Sequence, residues 1–277
     1  MVSLKQLPIS RVDWTFRKYP SAIHSMSKSK AKINGEFIEE LLDTLELKYG
    51  HSRMIARFDP MDELISCILS QHTSDSSSFP AFTNLRATFP DWQDVVDAGA
   101  ERVADVIRKA GLANQKSKSI INCLRAIKDE LGEYSLEHLR GMPTLQARDW
   151  LLKLPSVGPK TASIVLCFSM GRETIPVDTH IFRVSRRIGV LPPDLDENKA
   201  HDYLLSLVPG RLAFRYHTVL IQHGRMTCKA PKPDCASCPV TNFCQWHLTG
   251  GKNLPAKQST NGTKVGKAAK PSSRATK

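Results

Sequence analysis

Leu154 to Ile188 reads LPSVGPKTASIVLCFSMGRETIPVDTHIFRVSRRI, and the reading of this stretch decides the rest of the chain. Trp150, Leu151, Leu152 and Leu154 end an apolar helical turn, and Pro155 to Gly158 predicts a tight hairpin. Pro159 suits the first position of a new helix, where its missing N–H needs no partner. That helix is expected from about Lys160 through Met170. A helix N-terminus carries unpaired N–H groups and the positive end of a dipole, so Ser156, Val157 and Gly158 are candidates to hold a phosphate. Lys160 stands in the same first turn, where the dipole disfavours an ammonium, and a neutral amine is a nucleophile. A solvated lysine beside a plain turn between packed helices accounts for the hairpin about as well.

Asp178 shifts that balance. It lies in VDTH, immediately before the apolar Ile181, Phe182 and Val184, so it can cap a following helix while its carboxylate faces the preceding loop. Capping alone is its plainer role. Taken together, LPSVGPKTA and PVDTHIFRVSRRIG resemble the endonuclease III family of DNA glycosylases, and the resemblance extends over about residues 36 to 247. It implies that Lys160 attacks the sugar C1′ of a damaged nucleotide and that Asp178 assists. Two positions depart from the family pattern. Ser156 replaces the usual first glycine of the hairpin, and Pro159 stands where many members keep an N–H.

The 277 residues suffice for one large domain or two small ones. No run of eighteen apolar residues suggests a membrane span, and an intracellular, soluble protein is expected, in the cytoplasm or nucleoid if bacterial. The net charge of +12 points to a polyanionic partner, but it is unevenly placed. Residues 1–33 carry seven basic and one acidic side chain, residues 248–277 carry seven basic and none, and the remainder is left at −1. The arm at 1–34 lacks the apolar core of a secretory signal; an organellar transit peptide is a weaker reading of it than a nucleic-acid-binding arm. A basic low-complexity tail is expected at 248–277. Both should add sequence-independent phosphate contacts.

Between the tails the apolar period is helical. Helices are expected at Glu36–Tyr49, Asp59–Ser70, Ala81–Thr88, Asp91–Asp97, Ala100–Lys109, Gln115–Leu131, Ser135–Arg140, Thr144–Leu154, Asp196–Leu207 and Leu212–His223. No segment alternates with period two between hairpin turns, so the expected class is all-α. The resemblance implies two helical domains. One is a six-helix barrel with the helix-hairpin-helix, residues 53–172; the other is a cluster-bearing domain built from 35–52 and 173–247.

Two loops carry candidate DNA contacts. LSQHTSD resembles the family segment that fills the gap left by a flipped base, through Gln71 or His72, although a plain helix end explains either residue. AGLANQKSKSI resembles the wedge loop, which places Leu112 against the opposite strand; without the resemblance Leu112 reads as core. Working on a base in a duplex requires taking it out of the stack, so a filler and a wedge are physically needed. Arg183, Arg186, Arg187, Arg211, Arg215 and Arg225 gather in the C-terminal half, and some are expected to meet phosphate.

The seven cysteines divide four and three. Cys67, Cys123 and Cys167 lie singly in apolar runs and read as core. Cys228, Cys235, Cys238 and Cys244 are separated by six, two and five residues in a polar, proline-rich segment, which points to a metal centre. Four-cysteine zinc usually draws on two CxxC knuckles, and only Cys235 and Cys238 form one; iron and sulfur accept wider spacing. The resemblance implies a four-iron four-sulfur cluster, tying a loop that carries Lys229 and Lys232 toward the DNA backbone.

The expected function is that of a bifunctional DNA glycosylase and AP lyase for oxidised pyrimidines, acting as a monomer on double-stranded DNA with a damaged base or abasic site. Two alternatives stand beside it. One is a mismatch adenine glycosylase, which usually lacks the lysine; the other is a non-catalytic iron-sulfur DNA-binding protein.

Overall fold

The computed structural model describes residues 14–15, 33–52 and 58–251. Apart from 14–15, 33–34 and 248–251, the expected basic arm and tail lie outside these residues. Among the described residues the protein is helical throughout, except where Trp14–Thr15 pairs antiparallel with His51–Ser52. No helix among them is long and apolar enough to cross a membrane.

The helices are α1 (Gly35–Tyr49), α2 (Pro60–Ser70), α3 (Asp75–Thr88), α4 (Trp92–Val106), α5 (Ala113–Leu131), α6 (Thr144–Leu151), α7 (Pro159–Ile164), α8 (Thr179–Ile188), α9 (Glu197–Leu207), α10 (Ala213–Met226) and α11 (Gln245–Leu248). Four of them, α1, α2, α8 and α9, start after a short polar side chain that accepts a free N–H group. Asn34 Oδ1 accepts from Phe37 N at 3.0 Å, Asp59 Oδ1 from Met61 N at 2.9 Å, and Asp196 Oδ1 from Lys199 N at 3.0 Å. Gly99, at φ 74°, interrupts α4 with a kink where the sequence predicts a break.

Three elements differ from expectation. Helix α3 begins at Asp75 rather than Ala81 and contains Pro80. The proline forfeits only one ladder bond in the second turn, while Phe79 and Phe82 on either side of it pack on Phe58. The segment expected as a helix at Ser135–Arg140 is a 3₁₀ turn, Glu137–Gly141. After α7 the chain widens into a π-helical turn, Val165–Ser169, in place of a regular helix to Met170.

The buried apolar side chains form two clusters. One gathers residues of α2 to α7, from Met61 through Leu166. The other joins Phe37, Ile38, Leu41, Leu42 and Leu45 of α1 to α8, α9 and α10, with Tyr216 fully buried at its centre. At about 1.5–3 kcal/mol for each fully buried large aliphatic side chain, these faces bring α1 to the C-terminal half across more than a hundred residues. Lys48 of α1 strengthens the join by donating to Ser237 O at 2.6 Å. The hairpin before α7 belongs to the first cluster and the start of α8 to the second. The chain between them, 165–178, crosses from one to the other.

Candidate active site and cysteine-lined cavity

Lys160 and Asp178 line one open cleft of about 540 Å³, together with Ser74 and Asp75 at the start of α3, His180 of α8 and Arg225 of α10. Lys160 is exposed in the first turn of α7, and Asp178 is half-buried as the N-cap of α8. The cap uses one carboxylate oxygen: Oδ1 accepts from Ile181 N at 2.8 Å. Capping and a second role in the cleft are therefore compatible in the same carboxylate.

The extended chain before Asp178 is fastened from three sides. Thr174 Oγ1 donates to Ser163 O of α7 at 2.9 Å, His201 Nδ1 lies 3.2 Å from Ile175 O, and His217 Nδ1 lies 2.8 Å from Pro176 O. Burial pulls both imidazoles down to about 4, against a partial offset from these carbonyl contacts, and His217 also lies within electrostatic reach of Asp178 and Lys160. Neither histidine was singled out in the sequence. Each sits on an apolar helical face, where a histidine carries no local signature.

These histidines make acid stability predictable. The unfolded chain takes up their protons near 6.5, whereas the folded chain resists until about 4. Their contribution is thus fully present above pH 6.5 and is lost as pH falls toward 4, at up to about 3 kcal/mol for each. Urea unfolding at pH 7 and pH 4.5 should differ by several kcal/mol; equal stability at the two pH values would refute this burial account.

The three loops expected at DNA share an unusual backbone. Among the described residues, the non-glycine residues with positive φ are His72 (54°), Leu112 (49°) and Ser156 (64°). Ser156 thus occupies a left-handed conformation at the position where the family resemblance places a glycine. Val157 is buried, and its N–H donates to Leu154 O at 3.2 Å, so this donor is spent inside the hairpin. Around Gly158 there is open space for an added Cβ. Gln71 Nε2 donates to Ser156 O at 3.0 Å, while His72 stands exposed beside it. Leu112 is 55% exposed, which rules out the core reading.

All six arginines have partners within the chain. Arg183 donates to Gly224 O (2.9 Å) and Cys228 O (3.1 Å), Arg186 to Pro193 O (2.5 Å), and Arg187 to Lys229 O and Ala230 O (both 2.7 Å). Arg211 pairs with Glu39, Arg215 with Asp43 and Glu46, and Arg225 with Asp75. A planar guanidinium with five donors suits carbonyls and carboxylates at a turn as well as it suits phosphate. Lys229 and Lys232 remain exposed on the loop that Arg187 holds.

Cys228, Cys235, Cys238 and Cys244 line a second, smaller cavity with Arg187 and His223. Cys228 and Cys244 are buried, and the other two are half-buried. Arg187 Nη1 lies 3.4 Å from Cys228 Sγ, and His223 Nε2 lies 3.8 Å from Cys238 Sγ. Burial pushes the Cys244 thiol up to about 11 and raises Cys238, so a metal centre there must displace protons. Among the described residues no three His, Cys, Asp or Glu side chains close around a single-ion position. The other three cysteines are core, as expected, with the Cys123 and Cys167 thiols pushed up to about 12 by burial.

A helical fold with a lysine and an aspartate in one cleft at a helix-hairpin-helix defines a class, and comparison with known proteins agrees. The HhH-GPD superfamily of base excision DNA repair proteins matches residues 65–209. An Arabidopsis thaliana protein named as a DNA glycosylase of inferred activity is 38% identical over 192 residues, 66% of either chain. Endonuclease III of Escherichia coli strain K12 is 34% identical over 208 residues, covering 75% of this chain and 94% of that enzyme. A solved structure of a trapped endonuclease III-DNA covalent intermediate aligns at a TM-score of 0.67 and 28% identity, over 79% of this chain and 99% of that one. The chain belongs to the endonuclease III family of base excision repair DNA glycosylases.

Proposed function

We propose that the protein is a bifunctional glycosylase and AP lyase that removes oxidised pyrimidines from double-stranded DNA and acts as a monomer. The observation that carries this reading is the placement of Lys160 and Asp178 in one open cleft. In this reading Lys160 Nζ attacks C1′ as the N-glycosidic bond breaks, and the base leaves with the bonding pair and takes up a proton. The sugar ring opens to an imine on Lys160, loss of a C2′ proton expels the 3′ phosphate, and water then releases the enzyme. Asp178 orients the amine and stabilises positive charge developing on the sugar.

The backbone N–H groups of Ser156 and Gly158, and not the spent one of Val157, hold the phosphate flanking the lesion, Leu112 wedges the opposite strand, and the Gln71–His72 turn fills the gap. The exposure of His72 and the tie of Gln71 to Ser156 O favour His72 as the inserted side chain. Lys229 and Lys232 meet the backbone further along. A two-domain division, 53–172 against 35–52 with 173–247, agrees with the two apolar clusters. Borohydride trapping on an abasic duplex tests the mechanism: a covalent adduct mapped to Lys160 is expected, and no adduct overturns the lyase assignment. A panel of single-lesion duplexes tests the substrate, with faster release of oxidised pyrimidines than of mispaired adenine expected.

Cys228, Cys235, Cys238 and Cys244 would hold a four-iron four-sulfur cluster, which when bound crosslinks the C-terminal loop and takes no part in base removal. The fit rests on four thiols around one cavity with the Arg187 cation beside Cys228. Purified protein should be yellow-brown, and Cys235→Ser should lose the colour and melt at lower temperature. A colourless protein with one zinc per chain would overturn the assignment.

A further inference from the structure

Left-handed backbone at a non-glycine residue is strained and persists only where its surroundings enforce it. His72 and Leu112, on two different loops, both hold this conformation. A single buried side chain joins those loops. Lys116 of α5 is 4% exposed, and its Nζ donates to Leu69 O at 2.7 Å, Ala110 O at 2.8 Å and Thr73 Oγ1 at 2.5 Å. Leu69 lies in the last turn of α2, two residues before Gln71. Ala110 ends a 3₁₀ turn, Arg108–Ala110, two residues before Leu112. Thr73 closes the triangle by donating its own hydroxyl to Ala110 O at 2.6 Å.

The chemistry of the knot is specific. An ammonium has three N–H donors and no acceptor, and three acceptors satisfy it here. Two of them are carbonyls at or near helix ends, where the negative end of the backbone dipole favours a cation. No residue with fewer donors could join three points at this depth. Gln71 extends the connection to the hairpin through Ser156 O.

We propose that Lys116 is a positioning residue for base extrusion: by gathering Leu69, Thr73 and Ala110 onto one ammonium it fixes the spacing between the Gln71–His72 turn and Leu112. The inference rests on the glycosylase reading above, in which these two loops enter the duplex. Two loops already fixed relative to one another need no ordering at the moment the base leaves the stack, a step that is itself unfavourable. Lys116 touches neither substrate nor the reacting atoms.

The test compares Lys116→Met with the wild-type full chain. Methionine keeps the length and the apolar stem and removes all three donors. Three measurements are made: single-turnover base removal from a paired oxidised pyrimidine in a duplex, borohydride trapping on a single-stranded abasic oligonucleotide, and fluorescence of 2-aminopurine beside the lesion. The expected result is a fall of about 10-fold or more in duplex base removal, the scale of losing one buried hydrogen bond to a charge, with a weaker 2-aminopurine rise. Trapping on the single strand, which needs no extrusion, should stay within about 2-fold of wild type on the same reasoning.

Parallel loss on both DNA substrates with an unchanged 2-aminopurine response would make Lys116 a stability residue and overturn the proposal, as would an unchanged duplex rate. If Lys116→Met does not accumulate as folded protein, Thr73→Val carries the test. It removes one corner of the triangle at constant shape, and a duplex-specific fall of about 3-fold is expected, smaller because two of the three lysine bonds remain. Absence of any wild-type adduct would instead sink the lyase reading, while the 2-aminopurine response would still decide the role of Lys116.

Discussion

Lys160→Gln is expected to abolish strand cleavage and borohydride trapping while leaving DNA binding close to wild type. Glutamine keeps a similar length but its amide nitrogen is not a nucleophile, so no imine can form and no reduced adduct can accumulate. Lys160 is exposed and belongs to neither apolar cluster, so the substitution should leave the melting temperature unchanged. Loss of a covalent nucleophile commonly costs about 10³-fold or more in rate, well beyond what a misplaced phosphate contact would remove. Comparable trapping by the variant would show that another amine is the nucleophile. The competing reading, a DNA-binding protein that uses the hairpin only to hold phosphate, predicts no trapping by the wild type at all.

Asp178→Asn separates the two roles of one side chain. Asparagine is as good an N-cap as aspartate, so the bond to Ile181 N and the start of α8 should survive. The negative charge is lost, and with it the group that in the proposed mechanism orients the Lys160 amine and stabilises positive charge on the sugar. A fall in single-turnover base removal on the order of 10²-fold or more is expected, with Tm within a few degrees of wild type. Near-wild-type kinetics would leave Asp178 with its capping role only. A large drop in Tm would mean that the carboxylate carries more of the fold than its cap.

Much of this molecule was legible before its structure. The hairpin, Pro159 at the first helical position, the Asp59, Asp178 and Asp196 starts and the break at Gly99 are consequences of backbone chemistry within a few residues. The cysteine spacing is equally local. What misled was also instructive. The helix expected from Ala81 in fact begins at Asp75 and passes through Pro80, where aromatic packing on Phe58 outweighs one missing hydrogen bond. Leu112 reads as core from hydrophobicity and as a wedge from the family resemblance, and its 55% exposure excludes the first of these. The intrachain carbonyl and carboxylate partners of the six arginines could not be read from the sequence.

What the sequence by itself determined is therefore most of the helices, the candidate amine Lys160 and carboxylate Asp178, and the thiols available to a metal. Each depends on neighbours along the chain or on residue chemistry that needs no neighbour. Only the tertiary structure decided that Lys160 and Asp178 share a cleft, one from each side of two apolar clusters, and that Thr174, His201 and His217 fasten the strand leading to Asp178. Only it brought Lys116 to Leu69, 47 residues away, and thereby tied two loops into one unit. Such contacts follow from which apolar faces bury against one another, a property of the whole chain that no local pattern of residues records.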